Sequence, residues 1–460
     1  MPGRSVFCIS TILTDLPYMS YFPHTPDDIE AMLQRCGATS LDELYADVPA
    51  DLRLAAAGYD LPGAKSESEV RRAFDALRRA NRSGLTCFAG AGAYDHYTPA
   101  VIAALTSRSE FQTAYTPYQP EISQGTLQYI FEYQSMMSEL TGLPVSNASM
   151  YDGATATAEA MMMTVNASRR RRRLLVSETI NPGILNVLRT YARYHKIELD
   201  VIAATDGVTD AEALFDKLGA DVAGVIAASP NYYGILEDFS GWADKIHANK
   251  SLFVINSPAS ALAVLRSPGE WGADIACGDA QSLGMPLNYG GPYLGYICST
   301  KALMRKIPGR IVGATTDERG QRAFVLTLQA REQHIRREKA TSNICSNQGL
   351  MALHTAIYLS LMGPEGMKRI NDLSYGGAHR LAEQLTATGK AQLCYPNQPF
   401  LNEFAVRFAA PLTADIVLAK LLEHDIIGGV KLSDDAILVA VTEMQQPADI
   451  DRYVSIIKAL

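Results

Sequence analysis

The chain has 460 residues, 47% of them hydrophobic, and a formal net charge of −8. This length predicts two domains around a large buried core. No apolar run reaches the roughly 18 residues of a membrane span, and the acidic balance argues against a nucleic-acid partner. The N-terminal VFCISTIL is short and lacks a small-residue cleavage pattern, so it is not read as a signal peptide. Seven widely spaced cysteines contain no CxxC, and eight histidines form no HxH or HxxxH. Reduced thiols in a cytoplasmic protein and no metal site are the expectation.

Residues 1–83 read as a helical N-terminal arm, of a kind expected to pack on a second subunit. Thr25 can cap a helix, Pro26 suits its first turn, and Asp27, Asp28 and Glu30 favour the positive end of the helix dipole. Ser40 to Leu44 repeats the pattern. The stretch from Phe88 to Met163 then spends residues that a plain core would not. Tyr94, Asp95, His96, Tyr97, Thr113, Tyr115, Tyr118, Gln119 and Glu121 crowd among prolines and glycines. Such punctuation fixes loop shape, and polar aromatic loops often form pocket walls. His96 fits either proton exchange near neutral pH or a hydrogen-bonded structural role. Asp152, Gly153, Ala154 and Thr155 precede an alanine-rich apolar helix, a pattern that serves as a phosphate cradle or as a plain helix cap. Arg169 to Arg173 reads as a solvated helix-to-strand turn.

From Arg173 onward short apolar runs alternate with helical stretches: LLVS, ELDVIAA, VAGVIAAS, LFVIN, ADIAC and LGYICS read as strands. Helices are expected at about 182–195, 211–218 and 242–248. This alternation predicts a mostly parallel sheet covered on both faces, with ligands at the carboxyl ends of its strands. The tail from about Ile344 changes to long helices with a break at Gly363-Pro364, then LNEFAVRF, a helix at about 414–424 and AILVAVTE. The expected division is therefore an arm (1–83), a large α/β domain (84–340) and a small C-terminal α+β domain (341–460).

Seven blocks carry a resemblance: YFPHTPDDIEAML, SLDELYADVP, FAGAGAYDHYTPAV, TAYTPYQPEISQGTLQ, NASMYDGATA, GDAQSLGMPLNYGGPYLGY and REQHIRREKATSNICSNQGL. Together they span about Ser20 to Leu361. The chain resembles the glycine cleavage system P-proteins, in particular subunit 1 of those split into two homologous chains. The resemblance implies an aminotransferase-like, pyridoxal-phosphate-dependent fold of type I. It also implies a complete enzyme that decarboxylates glycine and passes the aminomethyl group to the lipoyl arm of the H-protein. Catalysis of this kind needs a Schiff-base lysine, yet no lysine occurs between Lys250 and Lys301. Matching the glycine-rich GGP places Gln281 where the catalytic chain carries that lysine. Asn256, or nearby Ser257, stands where an acid would face the pyridine nitrogen.

The implied picture is a lysine-free subunit that binds no cofactor covalently. Pyridoxal 5'-phosphate then sits on a lysine-bearing subunit 2, in a two-plus-two assembly. Residues 152–155 become a relic phosphate loop, and the nine polar and aromatic residues become wall candidates for the partner's site. Gly290 and Gly291 either shape that interface or form a plain turn. Two alternatives remain: a self-sufficient enzyme using Lys301, and a scaffold that never touches the cofactor.

Overall fold

The structure, a computed structural model, describes residues 24–53, 62–112, 114–168, 170–344 and 347–460. It divides into two units, Met1–Arg82 and Ser83–Leu460. In the first, helix α1 (Pro26–Cys36) starts as its sequence predicts. The Thr25 hydroxyl accepts from the Asp28 amide at 3.2 Å, and the Asp28 carboxylate accepts from the Thr25 amide at 2.8 Å. Helix α2 (Glu67–Ala80) repeats this reciprocal cap with Ser66 and Glu69. The expected helix at Ser40 is only a five-residue 3-10 turn, Leu41–Tyr45, and Ser40 caps nothing. Glu43 reaches back instead to the Thr39 amide, at 2.7 Å.

The second unit opens with helices α3 (Ala100–Thr106) and α4 (Gln124–Thr141). It is built on a seven-stranded sheet: β1 (Val145–Ser146), β2 (Arg173–Ser177), β3 (Glu198–Ile202), β4 (Val222–Ala228), β5 (Leu252–Asn256), β6 (Ile275–Asp279) and β7 (Gly295–Ser299). The spatial order is β1-β7-β6-β5-β4-β2-β3. The five strands β3, β2, β4, β5 and β6 are parallel, and β7 runs antiparallel between β6 and the edge strand β1. The pleat sorts the side chains. Leu174, Val176 and Val254 face helices α5 (Gly153–Ala167) and α6 (Pro182–His195). Leu175, Phe253 and Ile255 face the opposite layer, with α7 (Ala211–Asp216) and α8 (Trp242–Ala248). Strand β4 is buried at all seven positions, as a central strand covered on both faces should be.

Two local readings differ from the sequence expectation. The strand expected at Ala273–Cys277 lies at Ile275–Asp279, because Gly278 and Asp279 gain antiparallel partners in Tyr296 and Gly295. The arginine run is not a merely solvated turn. Arg171 donates to the carbonyls of Val222 and Asn249 at 2.9 and 2.7 Å, and Arg173 pairs with Asp200 at 2.6 Å. Arg169 lies outside the described residues.

A hairpin, β8 (Ile311–Thr316) and β9 (Arg322–Thr327), packs on α4. Helix α9 (Gly349–Ala387) breaks at Gly363, whose φ of 58° is left-handed, and Pro364 follows with no N–H to give. The C-terminal part holds a four-stranded antiparallel sheet of β10 (Ala391–Leu393), β11 (Glu403–Phe408), β12 (Val430–Lys431) and β13 (Ala436–Ala440). Helices α10 (Ala414–Glu423) and α11 (Pro447–Ala459) cover it. Thr86–Cys87 pair in parallel with Ile426–Ile427, and Phe88 meets Tyr453 edge-on at 4.9 Å. The first residues of this unit therefore join the C-terminal core.

Candidate functional site

A cavity of about 360 Å³ opens at the carboxyl ends of β4, β5 and β6, where Ala228, Asn256 and Asp279 lie. This is where a parallel sheet places its ligands. Its floor is the start of α5. Asp152 caps that helix, its carboxylate accepting from the Thr155 amide at 2.8 Å. The Gly153 amide, which would greet a phosphate, donates instead to Asp279 Oδ2 at 2.9 Å. A Cβ on Gly153 would lie 2.8 Å from both the backbone nitrogen and the Cβ of Asp279, so strand and helix start are in contact. Burial pushes the Asp279 carboxyl up to about 6.

The position matched to the lysine is occupied just as firmly. Gln281 is 1% exposed. Its Oε1 accepts from the Tyr94 amide at 2.8 Å, while its Nε2 donates to the carbonyls of Tyr94 and Met285 at 2.8 and 2.7 Å. A side-chain amide thus acts as an extra peptide unit and pins the AYDHYTP segment to the loop after β6. Asn256 donates to Thr157 Oγ1 at 2.8 Å, and Ser257 donates to the Ser229 carbonyl at 2.6 Å. On the far wall Glu403, at the head of β11, accepts from the Ala91 amide at 2.6 Å and from Tyr94 Oη at 2.9 Å. Burial pushes the Glu403 carboxyl up to about 7.

Pyridoxal phosphate does not fit this constellation. The lining residues include no lysine, a carboxylate stands against the helix start, and Asn256, which the resemblance sets where an acid is expected, is an uncharged amide bonded to Thr157. Lys301 does not repair this. It follows β7, which runs antiparallel to β6 with Ser299 beside Ile275 and Gly295 beside Asp279. Lys301 is therefore exposed at the opposite end of the sheet, more than about 10 Å of strand away from Asp279.

The nine wall candidates do not share one environment. Tyr94 and His96 are interior, contrary to a role on an offered surface. Tyr94 is held by Gln281 and Glu403, and the buried His96 places its Nδ1 2.7 Å from Oε2 of the part-buried Glu443. Asp95 is half-buried, its carbonyl accepting from Thr442 Oγ1. Tyr97, Tyr115, Tyr118, Gln119 and Glu121 are exposed, together with Ile122 and Tyr289. Thr113 lies outside the described residues. Gln124, near the end of the TAYTPYQPEISQG stretch, holds it to the hairpin by bonds to the Phe324 amide and carbonyl, both at 2.9 Å. Gly290 lines the mouth of the cavity with φ 107°, a backbone shape that suits glycine.

The sequence offered no signal for a further cluster. Arg310 Nη2 donates to Tyr118 Oη at 3.3 Å, and its guanidinium lies 5.4 Å from the Tyr118 ring centroid. The Tyr118 ring in turn meets His334 edge-on at 6.1 Å. Three distant segments converge here, and none of the three residues announces the others by spacing.

The family model of the glycine cleavage system P-protein matches residues 19–457. The chain is 48% identical over 444 residues to the probable glycine dehydrogenase (decarboxylating) subunit 1 of Geobacillus thermodenitrificans, covering 95% of this chain and 98% of that one. It is 40% identical to a glycine decarboxylase (P-protein) of the glycine cleavage system, solved in inhibitor-bound form, with a TM-score of 0.86 over 96% of this chain and all of that one. A glutamate decarboxylase of Lactobacillus brevis, 12% identical, shares the fold with a TM-score of 0.67 over 87% of this chain and 95% of that one. The fold is that of the type I pyridoxal-phosphate-dependent enzymes, and the chain belongs to the glycine cleavage system P-protein family.

Proposed function

We propose that this chain is the lysine-free subunit of a heteromeric glycine decarboxylase. The complete enzyme decarboxylates glycine and hands the aminomethyl group to the lipoyl arm of the H-protein. Its pyridoxal phosphate is held by a homologous, lysine-bearing subunit 2, in a two-plus-two cytoplasmic assembly. The observation that carries this reading is Gln281, whose buried amide is committed to Tyr94 and Met285 and cannot form an imine. Asn256 and Asp279 support it, since each fills with its own hydrogen bonds a place that the cofactor would need.

In this reading Tyr97, Tyr115, Tyr118, Gln119 and Glu121 form a wall presented to the partner's cofactor. Exposed phenols suit that use because they bring apolar area with a hydrogen-bonding tip. Tyr94 and His96 act one step behind, fixing the shape of the segment that carries Tyr97. Residues 152–155 are a helix start capped from within rather than a working phosphate site. The five described cysteines with assigned surroundings are free thiols, which suits a reducing compartment.

The test is reconstitution. The purified chain, the lysine-bearing subunit and their mixture are each assayed with glycine and H-protein, then reduced with borohydride and mapped. Activity confined to preparations with subunit 2, and a pyridoxyl group only on its lysine, is the expected outcome. A stoichiometric pyridoxyl-lysine on this chain would sink the proposal.

A further inference from the structure

The segment from Ala91 to Thr98 is held along its length by side chains from distant parts of the chain. Asn181 Nδ2 donates to the Ala91 carbonyl at 2.8 Å, while Glu403 and Gln281 accept from the amides of Ala91 and Tyr94. Thr442 Oγ1 donates to the Asp95 carbonyl at 2.5 Å, and Thr98 Oγ1 donates to the Gly284 carbonyl at 2.9 Å. Tyr97, by contrast, leaves its side chain 59% exposed. Its amide donates to Glu443 Oε1 at 2.8 Å, and the other oxygen of that carboxylate lies 2.7 Å from His96 Nδ1. One side chain thus grips the His96 ring and the peptide that joins it to Tyr97. A carboxylate accepting from a backbone N–H makes a charge-assisted bond, stronger than a neutral one. The Glu443 side chain is itself only 11% exposed and stands on a braced turn just after β13. There the Thr442 amide donates to Gln445 Oε1 at 2.6 Å, and Gln445 Nε2 donates to the Cys87 carbonyl at 2.8 Å.

We propose that Glu443 is a positioning residue for Tyr97, fixing from the C-terminal part of the chain the peptide plane from which the exposed phenol projects toward the partner's site. Attachment of the segment does not require it, because Glu403 and Thr442 already hold Ala91 and Asp95. Glu443 differs from them in acting at the residue whose ring is exposed. A site side chain must be held to within a fraction of an ångström by neighbours that are themselves locked, and the braced turn supplies that support. The inference rests on the function proposed above, in which Tyr97 belongs to the wall offered to subunit 2.

The test is a double-mutant cycle in the reconstituted enzyme, with turnover of glycine and H-protein measured per assembled complex so that unfolded chain does not count. Tyr97→Ala, Glu443→Ala and the double variant are compared. Should Glu443→Ala fail to assemble, Glu443→Asp, one methylene shorter, takes its place. Glu443→Ala should lose about tenfold, as Tyr97→Ala does, and the double variant should be no slower than Tyr97→Ala to within about twofold, since no ring is left to position. Glu443→Gln should recover turnover to within about threefold, because its Oε1 still accepts from the Tyr97 amide while its Nε2 donates to His96 Nδ1 in the matching tautomer. Unchanged turnover in the Glu443 variant, or a loss that multiplies with that of Tyr97→Ala, overturns the inference and leaves the wall standing. No loss in Tyr97→Ala removes Tyr97 from the wall, and the inference falls with it.

Discussion

The Gly153 amide and the Asp279 carboxylate meet at 2.9 Å across 126 residues of chain, at a helix start, where backbone amides are free to receive an anion. The helix dipole still faces an anion, but the anion is the protein's own. The space between is closed as well, because β6 and the start of α5 touch at the position of the missing Cβ.

Gly153→Ala should therefore destabilise the chain by about 1–3 kcal/mol, as forced overpacking does. The new methyl would press on backbone, which cannot swing aside. Gly125→Ala is the control. Gly125 lies in α4 with nothing within 4 Å, and alanine there should be neutral or stabilise by about 0.5–1 kcal/mol. Urea unfolding of both variants measures the contrast; equal effects would mean that strand and helix start are not in contact.

Glu403 predicts a pH dependence. Burial raises its folded-state carboxyl from the ordinary 4.5 to about 7, while the unfolded chain keeps the ordinary value. The folded state holds the proton more tightly, so this contribution to stability is complete below about pH 4.5 and is lost as pH rises through about 7. The groups facing it, Tyr94 and Tyr232, do not titrate in that window, since burial pushes both phenols up. Glu403→Gln keeps the shape without the charge. Between pH 5 and pH 8 it should lose less stability than the unsubstituted chain, by on the order of 1–3 kcal/mol. Identical pH profiles would show that Glu403 titrates normally.

Restoring a lysine should not restore a cofactor site. Gln281→Lys would bury an ammonium between the carbonyls of Tyr94 and Met285 while losing the acceptor for the Tyr94 amide. A loss of roughly 3 kcal/mol or more is expected. No mass gain should follow incubation with pyridoxal phosphate and borohydride, because Asp279 and Asn256 still oppose the cofactor. Stoichiometric pyridoxylation at residue 281 would show that the cavity needs only the lysine.

His96 and Tyr97 are neighbours with opposite duties. His96→Ala removes the part-buried bond to Glu443 together with a buried ring and should cost about 1–3 kcal/mol in thermal or urea unfolding. Tyr97→Ala trims a side chain that is 59% exposed, and stability should stay within about 0.5 kcal/mol. In the reconstituted enzyme the Tyr97 variant should lose about tenfold or more in turnover with glycine and H-protein, as a central interface aromatic does. Unchanged kinetics would remove Tyr97 from the wall.

Much of the architecture is written locally. Short continuous apolar runs such as LLVS and LFVIN, set between helical stretches, read as strands buried on both faces, and β2 and β5 lie there. The caps at Thr25 and Asp152 are read within four residues, the reach of a capping bond. The missing lysine is a census of composition and needs no coordinates. Ser40 shows the limit of local reading, because the same acid-rich signal yields a 3-10 turn capped from Thr39.

What tertiary structure alone decided is which groups meet. Asp279 finds Gly153, Arg310 finds Tyr118 over 192 residues, and His96 finds Glu443 over 347. No periodicity carries such pairings, since helix and strand rules reach only a few residues along the chain. The sequence by itself determined the fold class and the absence of the Schiff-base lysine. Folding decided that Gly153, Asn256 and Gln281 are held by the protein's own hydrogen bonds, because buried amides and carboxylates must find partners and only packed neighbours can supply them.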